Sequence, residues 1–399
     1  MSPSLSVRQD PGGPGLAASD EKMLALVMSD TAVVRRTALH ESHLRLGGRM
    51  VDFHGWDLPV QYESILREHE AVRARCGLFD VSHMGQVFVS GPQALAFLQK
   101  VNANDIAKIG PGKAIYSHLP NEAGGVVDDV IVSCLGRDRY LVVVNAATAD
   151  KDFAWFRAQA KGFDVILENK SDDYGMIAVQ GPKAAALIAL LAPAAAALPR
   201  FGALELELYG TPSIITRTGY TGEDGAEFIV PNHIVVRVWE DLLAQGRSLG
   251  AAPCGLGARD VLRLEAGYLL YGQDVDDAHS TYEANYGWVV KLDKGDFIGR
   301  AALARQKAEG VQRRLTGVKL LERGVPRPGA PVLIDGREAG RLCSATYSPS
   351  LQAGIGVGYL DRPDLAAGTQ CAVTLHGRDV PAQIVKVPFF QSPHLKKGA

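Results

Sequence analysis

The feature that most constrains the fold is a local pattern that occurs twice. A stretch typical of a β-strand is followed by Gly-Pro and then by an alanine-rich stretch typical of a helix, in which proline suits the first turn because its missing N–H would be unpaired there. The two copies are "GQVFVSGPQALAFLQKV" (85–101) and "YGMIAVQGPKAAALIALL" (174–191). A chance similarity is the alternative, but the recurrence favours two related α+β units.

Further strand patterns follow each copy. After the first, "KAIYSHL", "VVDDVIVSCL" and "RYLVVVN" predict an antiparallel meander, and after the second, "ALELELYG", "PSIITRTGY" and "AEFIVP" predict three more strands. Past Leu315 the chain consists of strand and turn patterns with few helix signals, which predicts a separate small β domain. We therefore expect a disordered extension over 1–36, two interleaved α+β units over 37–314 and a β-rich domain over 315–395.

Composition excludes several classes of protein. Hydrophobic residues make up 47% and charged residues 22% of the 399 residues, as in soluble globular proteins. The net charge is −2, no basic stripe suggests a nucleic-acid partner, and no apolar run reaches the roughly 20 residues that span a bilayer. The five cysteines show no CxxC spacing and the ten histidines do not cluster, so we expect free thiols and no metal site.

A glycine-rich turn, "RTGYTGEDGAEF" (217–228), carries the most chemistry. Its acids argue against a phosphate cradle, which needs positive or neutral donors. A carboxylate in such a turn can instead accept two parallel N–H bonds from a flat heterocycle such as a pterin, and glycine lets the backbone approach the ring. For each acid taken alone, a capping or solvated turn residue is the preferred explanation. For Asp128 and Asp129, we expect a hairpin end with one side chain in solvent.

The order of seven motifs resembles one family, the aminomethyltransferase (T-protein) of the glycine cleavage system. The motifs are "FHGWDLPVQY", "LFDVSHMGQ", "NDIAKIGPG", "NEAGGVVDDVIV", "TRTGYTGEDGAEF", "GLGARDVLRLEAGYLLYGQDVD" and "YSPSLQAGIGVGYL". The resemblance extends from about Thr37 to about Phe390. It implies an α+β fold in which three domains form a cloverleaf around a central folate channel, two being related α+β units and the third a small C-terminal β-barrel-like domain.

The resemblance also implies the reaction. The methylene of an aminomethyl group, carried on the lipoyl arm of the H-protein, passes to tetrahydrofolate and gives 5,10-methylenetetrahydrofolate, ammonia and dihydrolipoyl H-protein. Tetrahydrofolate is then the one-carbon acceptor and the lipoylated H-protein a transient partner. Neither a metal ion nor a flavin is expected as a cofactor. Neither a nucleic acid nor a membrane is expected as a partner. The bacterial cytoplasm is the expected location, in preference to the mitochondrial matrix.

Matching the family's motifs to this chain gives a set of site residues. The acid of the "NDI" motif falls on Asp105, which is predicted to be catalytic. The predicted folate-binding residues are Met84, Tyr116, Asn121, Asn145, Tyr220, Glu227, Arg259 and Trp288. The last segment, "PFFQSPHLKK", departs from the family where relatives often carry an aromatic residue, so whether His394 replaces that contact stays open.

Two other classes share this scaffold. One comprises folate-dependent demethylases and methyltransferases, including domains fused to flavin-dependent oxidases, but the chain has no GxGxxG strand–helix unit for a flavin. The other is non-enzymatic, the iron–sulfur assembly factors with a cysteine-centred "KGCYxGQE" motif. The corresponding segment here, "YGQDVDDAHSTYEANYGW", has no cysteine, which disfavours that class. A bare folate-binding protein is the remaining alternative.

Overall fold

The first Gly-Pro pair lies between β4 and α3, in the N-terminal half of the chain. The computed structural model describes residues 34–395. Its first elements are α1 (His40–Arg45), β1 (Arg49–Phe53), β2 (Trp56–Gln61), α2 (Ile65–Ala74), β3 (Cys76–Asp80), β4 (Gly85–Ser90) and α3 (Ala94–Val101). They are followed by β5 (Lys113–Pro120), β6 (Val126–Gly136), β7 (Arg139–Val144), α4 (Ala149–Gln159) and β8 (Ile166–Asn169).

The remaining elements belong to the second unit and to the C-terminal part of the chain. The second unit contains β9 (Tyr174–Gln180), α5 (Ala184–Leu191), α6 (Pro193–Ala196), β10 (Ala203–Leu208), β11 (Thr211–Thr216), β12 (Gly225–Pro231), α7 (Asn232–Gly246), β13 (Ala251–Pro253) and α8 (Leu256–Glu265). The remaining elements are α9 (Arg300–Glu309), β14 (Arg314–Leu320), β15 (Pro331–Ile334), β16 (Arg337–Ser348), β17 (Ala353–Leu360), β18 (Gln370–Leu375) and β19 (Arg378–Val385). Short 3₁₀ helices cover Ile106–Lys108, Arg247–Leu249, Gly287–Val289 and Leu292–Lys294.

The repeated sequence pattern corresponds to a repeated sheet. The first unit forms a five-stranded sheet in the order β5-β6-β7-β4-β8, and the second a six-stranded sheet in the order β10-β11-β12-β9-β3-β13. In both, a three-stranded meander follows the strand–Gly-Pro–helix segment, and its last strand pairs antiparallel with the strand before Gly-Pro. The units are interleaved, because β3 precedes the first unit in the chain but pairs with β9 of the second. The predicted α+β fold is confirmed.

Glycine is required at both Gly-Pro positions. Gly91 and Gly181 have φ angles of 115° and 131°, a region that residues with a Cβ rarely adopt. A Cβ on Gly181 would lie 2.6 Å from the carbonyl oxygen of Arg75, and one on Gly91 would lie 2.9 Å from that of Asp164. At each glycine the chain therefore turns away from its strand, in close contact with neighbouring backbone, before the helix begins.

Apolar helix faces cover the sheets. Phe97 of α3 is fully buried with Phe156 of α4 against the first sheet, and Trp239 of α7 is buried with Phe228 of the second. The buried residues of α3, Ala94, Phe97, Leu98 and Val101, are spaced three and four apart and therefore lie on one face, as in amphipathic helices. Within residues 34–395 there is no helix with the length and apolar character needed to cross a membrane.

The C-terminal strands form a closed barrel in the order β14-β17-β16-β15-β18-β19, which confirms the predicted β domain. Helix α8 attaches this barrel to the second unit. Its buried Arg263 donates to the Ser344 hydroxyl at 2.7 Å, and its Glu265 accepts from Ser350 at 3.0 Å. Since Arg259 lies on the same helix, these contacts also determine where one predicted site residue sits.

The predicted extension of residues 1–36 lies almost entirely outside the described residues. At the beginning of the described part, Arg35 forms a β-bridge with Trp56. Its backbone N–H donates to the carbonyl oxygen of Gly55 at 2.8 Å. Pairing with the β1–β2 hairpin therefore begins at Arg35.

Candidate active site

A cavity of about 370 Å³ lies where the two α+β sheets, α8 and the C-terminal segment meet. The structure brings most of the predicted site residues to its wall. Those lining it are Met84, Tyr116, Asn145, Tyr220, Glu227, Arg259 and Trp288. Asp105 and Asn121 are not among the lining residues.

The glycine-rich turn forms one wall of the cavity, between β11 and β12. It folds over Gln180 of β9, whose side-chain nitrogen donates to the Thr218 carbonyl at 3.2 Å and whose oxygen accepts from the Thr221 hydroxyl at 2.8 Å. A Cβ on Gly219 would lie 2.0 Å from the Gln180 side chain. The close approach that glycine permits here is thus to the protein's own glutamine, and it presents the turn's acids to the cavity.

Glu227 is one of three carboxylates in this wall, with Glu223 and Asp224. It lies in β12 opposite Thr216 of β11, and the Thr218 hydroxyl donates to one of its oxygens. Burial raises the pKa of Glu227, while the Thr218 hydrogen bond and the charge of Arg259 act in the opposite direction. The second carboxylate oxygen has no donor among the described residues, so it can accept from a ligand.

Arg259 is one of three arginines that line the cavity, with Arg200 and Arg217. Its guanidinium lies 4.5 Å from the centroid of the Tyr220 ring, and it forms no ion pair within residues 34–395. The Tyr220 hydroxyl donates to the Leu269 carbonyl, which fixes the ring, and the Tyr268 ring stacks on it at 5.8 Å. Burial lowers the pKa of Arg259, and nearby Tyr220 and Glu227 oppose that shift. An unpaired guanidinium in this position favours an anionic ligand.

Aromatic rings form the opposite wall. Tyr116 of β5 stacks with Trp288 at a centroid distance of 6.0 Å and an angle of 28°, and Tyr286 packs against both rings. Trp288 is 59% exposed, so it is not a core aromatic but a surface of the cavity. Tyr286 was not among the site residues predicted from the sequence. Flat walls of this kind suit a planar ligand.

Asp129 is a further acid in the cavity wall, in addition to Glu223, Asp224 and Glu227 of the glycine-rich turn. Its carboxylate accepts from the Tyr116 hydroxyl at 2.9 Å and from Nδ2 of Asn145 at 2.9 Å. Burial and the neighbouring charge of Asp128 raise the pKa of Asp129 to about 7. A carboxyl group with such a pKa can both accept and release a proton near neutral pH.

The expectation that Asp128 and Asp129 end a hairpin was wrong. Both lie within β6, and Asp128 is 0% exposed while Asp129 faces the cavity. Asp128 accepts from the backbone N–H of Asn145 at 3.0 Å and lies beside the equally buried Asp152 of α4. Burial, followed by the charge of Asp128, raises the pKa of Asp152 to about 10, so the pair holds a proton at neutral pH. The signal in the sequence was two consecutive acids inside an otherwise apolar strand.

Asp105 and Asn121 have structural contacts instead. The Asp105 carboxylate accepts from Gln99 at 2.8 Å and from the backbone N–H of Ala107 at 3.2 Å, and so caps a 3₁₀ helix. The Asn121 side chain accepts from the backbone N–H of Gly125 at 2.9 Å and stabilises the turn before β6. The side chains of Asp105 and Asn121 are thus directed into turns, and the cavity is lined by others.

A second cavity of about 810 Å³ adjoins the first. The residues that line both are Arg200, Tyr268, Leu269, Tyr286, Trp288 and Leu395. Its outer wall includes the C-terminal residues Phe390 and Ser392, and Ser392 donates to Glu223 at 2.6 Å. His394 is exposed and lines neither cavity, so Phe390 is the aromatic residue that this segment contributes.

Comparisons with known proteins agree with this arrangement. Residues 39–294 match the GCVT N-terminal domain family, and residues 313–391 match the glycine cleavage T-protein C-terminal barrel domain family. Proteins named aminomethyltransferase from Halothermothrix orenii and Bacillus subtilis are 43% and 42% identical, over 89% and 90% of this chain and all of theirs. The crystal structure of glycine cleavage system aminomethyltransferase T from Bartonella henselae superposes with a TM-score of 0.85 at 33% identity, covering 91% of this chain and 100% of that one. The chain therefore belongs to the glycine cleavage T-protein family, the family of the aminomethyltransferases.

Proposed function

We propose that the protein is the aminomethyltransferase of a glycine cleavage system and that tetrahydrofolate binds in the cavity lined by Glu227, Arg259 and Asp129. The observation that carries this proposal is the presence of Asp129 beside two walls suited to a folate. Glu227 offers an acceptor to a pterin's amino and ring N–H groups, and the aromatic rings offer flat contact surface. The adjoining larger cavity leaves room for the rest of a folate.

In this proposal Asp129, rather than Asp105, assists the reaction. The Asp129 carboxylate is held by two donors at the cavity wall, whereas the Asp105 carboxylate is occupied by a helix cap. A fixed carboxylate stabilises positive charge that develops on an attacking nitrogen, because no reorganisation is needed at the moment of reaction. Its pKa near 7 also allows it to accept the proton that the nitrogen loses.

The atoms of the reaction balance without a covalent enzyme intermediate. The substrate carries an S–CH₂–NH₂ group, and one folate nitrogen forms a bond to the methylene carbon while the amine leaves as ammonia. The second folate nitrogen then forms its bond while the C–S bond breaks and the sulfur leaves as a thiolate. Two protons leave the folate nitrogens, and the amine and the thiolate take up two. Asp129 is positioned to receive such protons from nitrogen and to return them.

The second substrate would arrive on the lipoyl arm of an H-protein. Such an arm must reach the cavity from outside, and the half-exposed Trp288 lies where both cavities meet. A contact that is released after every turnover is expected to be small and partly polar. The relatives named above are bacterial proteins, which supports the proposal that the reaction takes place in a bacterial cytoplasm.

Ammonia release tests the proposal. The full chain is incubated with aminomethylated H-protein, with and without tetrahydrofolate, and ammonia and 5,10-methylenetetrahydrofolate are measured. We expect both products to form in equal amounts and only when tetrahydrofolate is present. Binding of tetrahydrofolate without either product would instead indicate a folate-binding protein that is not a transferase.

A further inference from the structure

A chain of hydrogen bonds extends from Asp129 into the protein interior. The Tyr116 hydroxyl, which donates to Asp129, is 3.0 Å from Nε2 of His118. On the other side of the same imidazole, Nδ1 is 3.0 Å from the Thr281 hydroxyl oxygen. Tyr116 and His118 project from the same face of β5, since they are two residues apart. His118 is thus joined to the proposed catalytic carboxylate through one phenol.

The imidazole of His118 is fixed and neutral. It is 0% exposed, it stacks on Tyr286 at 5.7 Å with an angle of 17°, and it meets the Tyr116 ring edge-on at 5.4 Å. Burial lowers the pKa of His118 to about 3, so the ring carries one proton at neutral pH. In a neutral imidazole this proton lies on either Nδ1 or Nε2.

The partners of Tyr116 decide the tautomer. An ionised Asp129 only accepts hydrogen bonds, and a phenol has one proton to donate. The Tyr116 proton therefore points to Asp129, and the contact with His118 requires an N–H on Nε2 that donates to the phenol oxygen. Nδ1 is then an acceptor, and the Thr281 hydroxyl is the donor next to it. In this arrangement every contact in the chain from Asp129 through Tyr116 and His118 to Thr281 has one donor and one acceptor.

We propose that His118 is a positioning residue that, through its Nε2–H and its contact with Thr281, holds the Tyr116 hydroxyl as a donor to Asp129. The proposal rests on the function proposed above for Asp129. Hydrogen bonds in a chain polarise one another, so a phenol that receives a bond from His118 donates more strongly to the carboxylate. His118 thereby stabilises the ionised form of Asp129 without touching the substrate.

The groups around Asp129 determine in which direction its pKa shifts when the His118 donor is lost. The charge of Asp128 favours the protonated form of Asp129, and so does burial, while the bonds from Tyr116 and Asn145 favour the ionised form. Tyr220 and Tyr286 face the same carboxylate from the cavity and stay neutral, because burial raises the pKa of each phenol. Loss of the His118 donor weakens one of the two favourable bonds, so the pKa of Asp129 rises and fewer molecules carry the carboxylate at a given pH.

The test compares two substitutions at this position. His118→Phe keeps a flat ring against Tyr286 but removes both nitrogens, whereas His118→Gln keeps an N–H donor and an acceptor. The pH dependence of kcat should show its acidic limb displaced upward by about half a pH unit in His118→Phe. In His118→Gln it should lie close to that of the unchanged protein. The KM for tetrahydrofolate should change less than kcat does at pH 6.5, because neither variant alters a lining residue.

A second measurement is independent of catalysis. Titration of ¹³C-labelled aspartate carboxyls by NMR, with the Asp129 signal assigned from Asp129→Asn, follows the same group without substrate. An upward shift of the Asp129 titration in His118→Phe, with none in His118→Gln, supports the proposal even if the transferase assay fails. Should His118→Phe not fold, Thr281→Val removes the donor to Nδ1 and is expected to shift the titration in the same direction. Identical titrations in all folded variants would overturn the proposal and leave the proposed function in place.

Discussion

Nδ2 of Asn145 donates to Asp129 twice, at 2.9 Å to a carboxylate oxygen and at 3.1 Å to the backbone carbonyl oxygen. The same nitrogen is 2.9 Å from Asp128. Asn145 directly follows β7, which pairs with the β6 strand that carries both acids. One amide therefore fixes the orientation of the cavity acid and also connects it to the buried pair of Asp128 and Asp152.

Asp129→Asn is expected to reduce turnover by about 10²–10³-fold while the fold is kept. The amide retains the size of the carboxyl group but cannot stabilise positive charge or accept a proton from nitrogen. Single-turnover ammonia release measures the loss, and circular dichroism checks the fold.

Asp105→Asn is the matched control for that substitution. Its carboxylate caps a 3₁₀ helix and lines neither cavity, so turnover should stay within a few-fold of the unchanged protein. If Asp105→Asn loses turnover and Asp129→Asn does not, the catalytic role returns to Asp105.

Glu227→Gln is expected to weaken tetrahydrofolate binding by about 1–3 kcal/mol, the cost of an unmade hydrogen bond to a charged group. An amide has one acceptor atom where the carboxylate has two, and it brings a donor that faces the pterin's own donors. Calorimetric titration measures the affinity. Glu223→Gln is the control in the same turn, since Arg73 at 2.7 Å and Ser392 at 2.6 Å already occupy its oxygens. A larger loss in Glu223→Gln would move the pterin contact to that residue.

Asp152→Asn is expected to make stability less dependent on pH. Because the pKa of Asp152 is raised from 3.8 to about 10, the folded protein keeps a proton there that the unfolded chain releases above about pH 4. The folded state of the unchanged protein therefore loses stability as pH rises from about 4 to about 10, by up to 1.4 kcal/mol per pH unit. Asparagine can donate to Asp128 without titrating. Urea unfolding at pH 5 and pH 8 should show the variant gaining stability relative to the unchanged protein at the higher pH, and an equal difference at both would contradict this account.

Glu265→Gln is expected to destabilise the protein by about 3–5 kcal/mol at pH 7, because it breaks a buried ion pair with Arg73 at 2.7 Å. Burial alone would raise the pKa of Glu265, but bonds and charges from His69 and Arg73 lower it to about 2. Its contribution is therefore complete above about pH 4.5 and is lost as pH falls toward 2. Urea unfolding at pH 7 and pH 3 measures the change, and the gap between variant and unchanged protein should narrow at pH 3. Glu70→Gln, in an exposed pair with Arg67, should cost under about 1 kcal/mol.

The fold class and much of the cavity wall could be predicted from the sequence. The strand–Gly-Pro–helix repeat predicted two related units, because hydrophobic periodicity is a local property of the sequence. The prolines themselves lie just before the N-cap residues Gln93 and Lys183 and not in the first helical turn. The glycine-rich turn predicted a cavity wall for a similar reason, since Glu227 and Tyr220 follow a strand within a few residues. The resemblance to a family added Arg259 and Trp288 to the predicted site residues. Both lie outside the glycine-rich turn, and no local sequence pattern connects them with it.

The tertiary structure alone decided which acid faces the cavity. Alternation along a strand places Asp128 and Asp129 on opposite faces, but it does not say what covers each face. Helix α4 covers the face of Asp128, and the face of Asp129 opens onto the cavity. The link from Asp129 to His118 depends in the same way on the packing of Tyr286 and Thr281, 160 residues and more along the chain from the histidine. Burial and charge at these sites arise from distant segments, and for that reason their pKa shifts and roles follow from the packed structure.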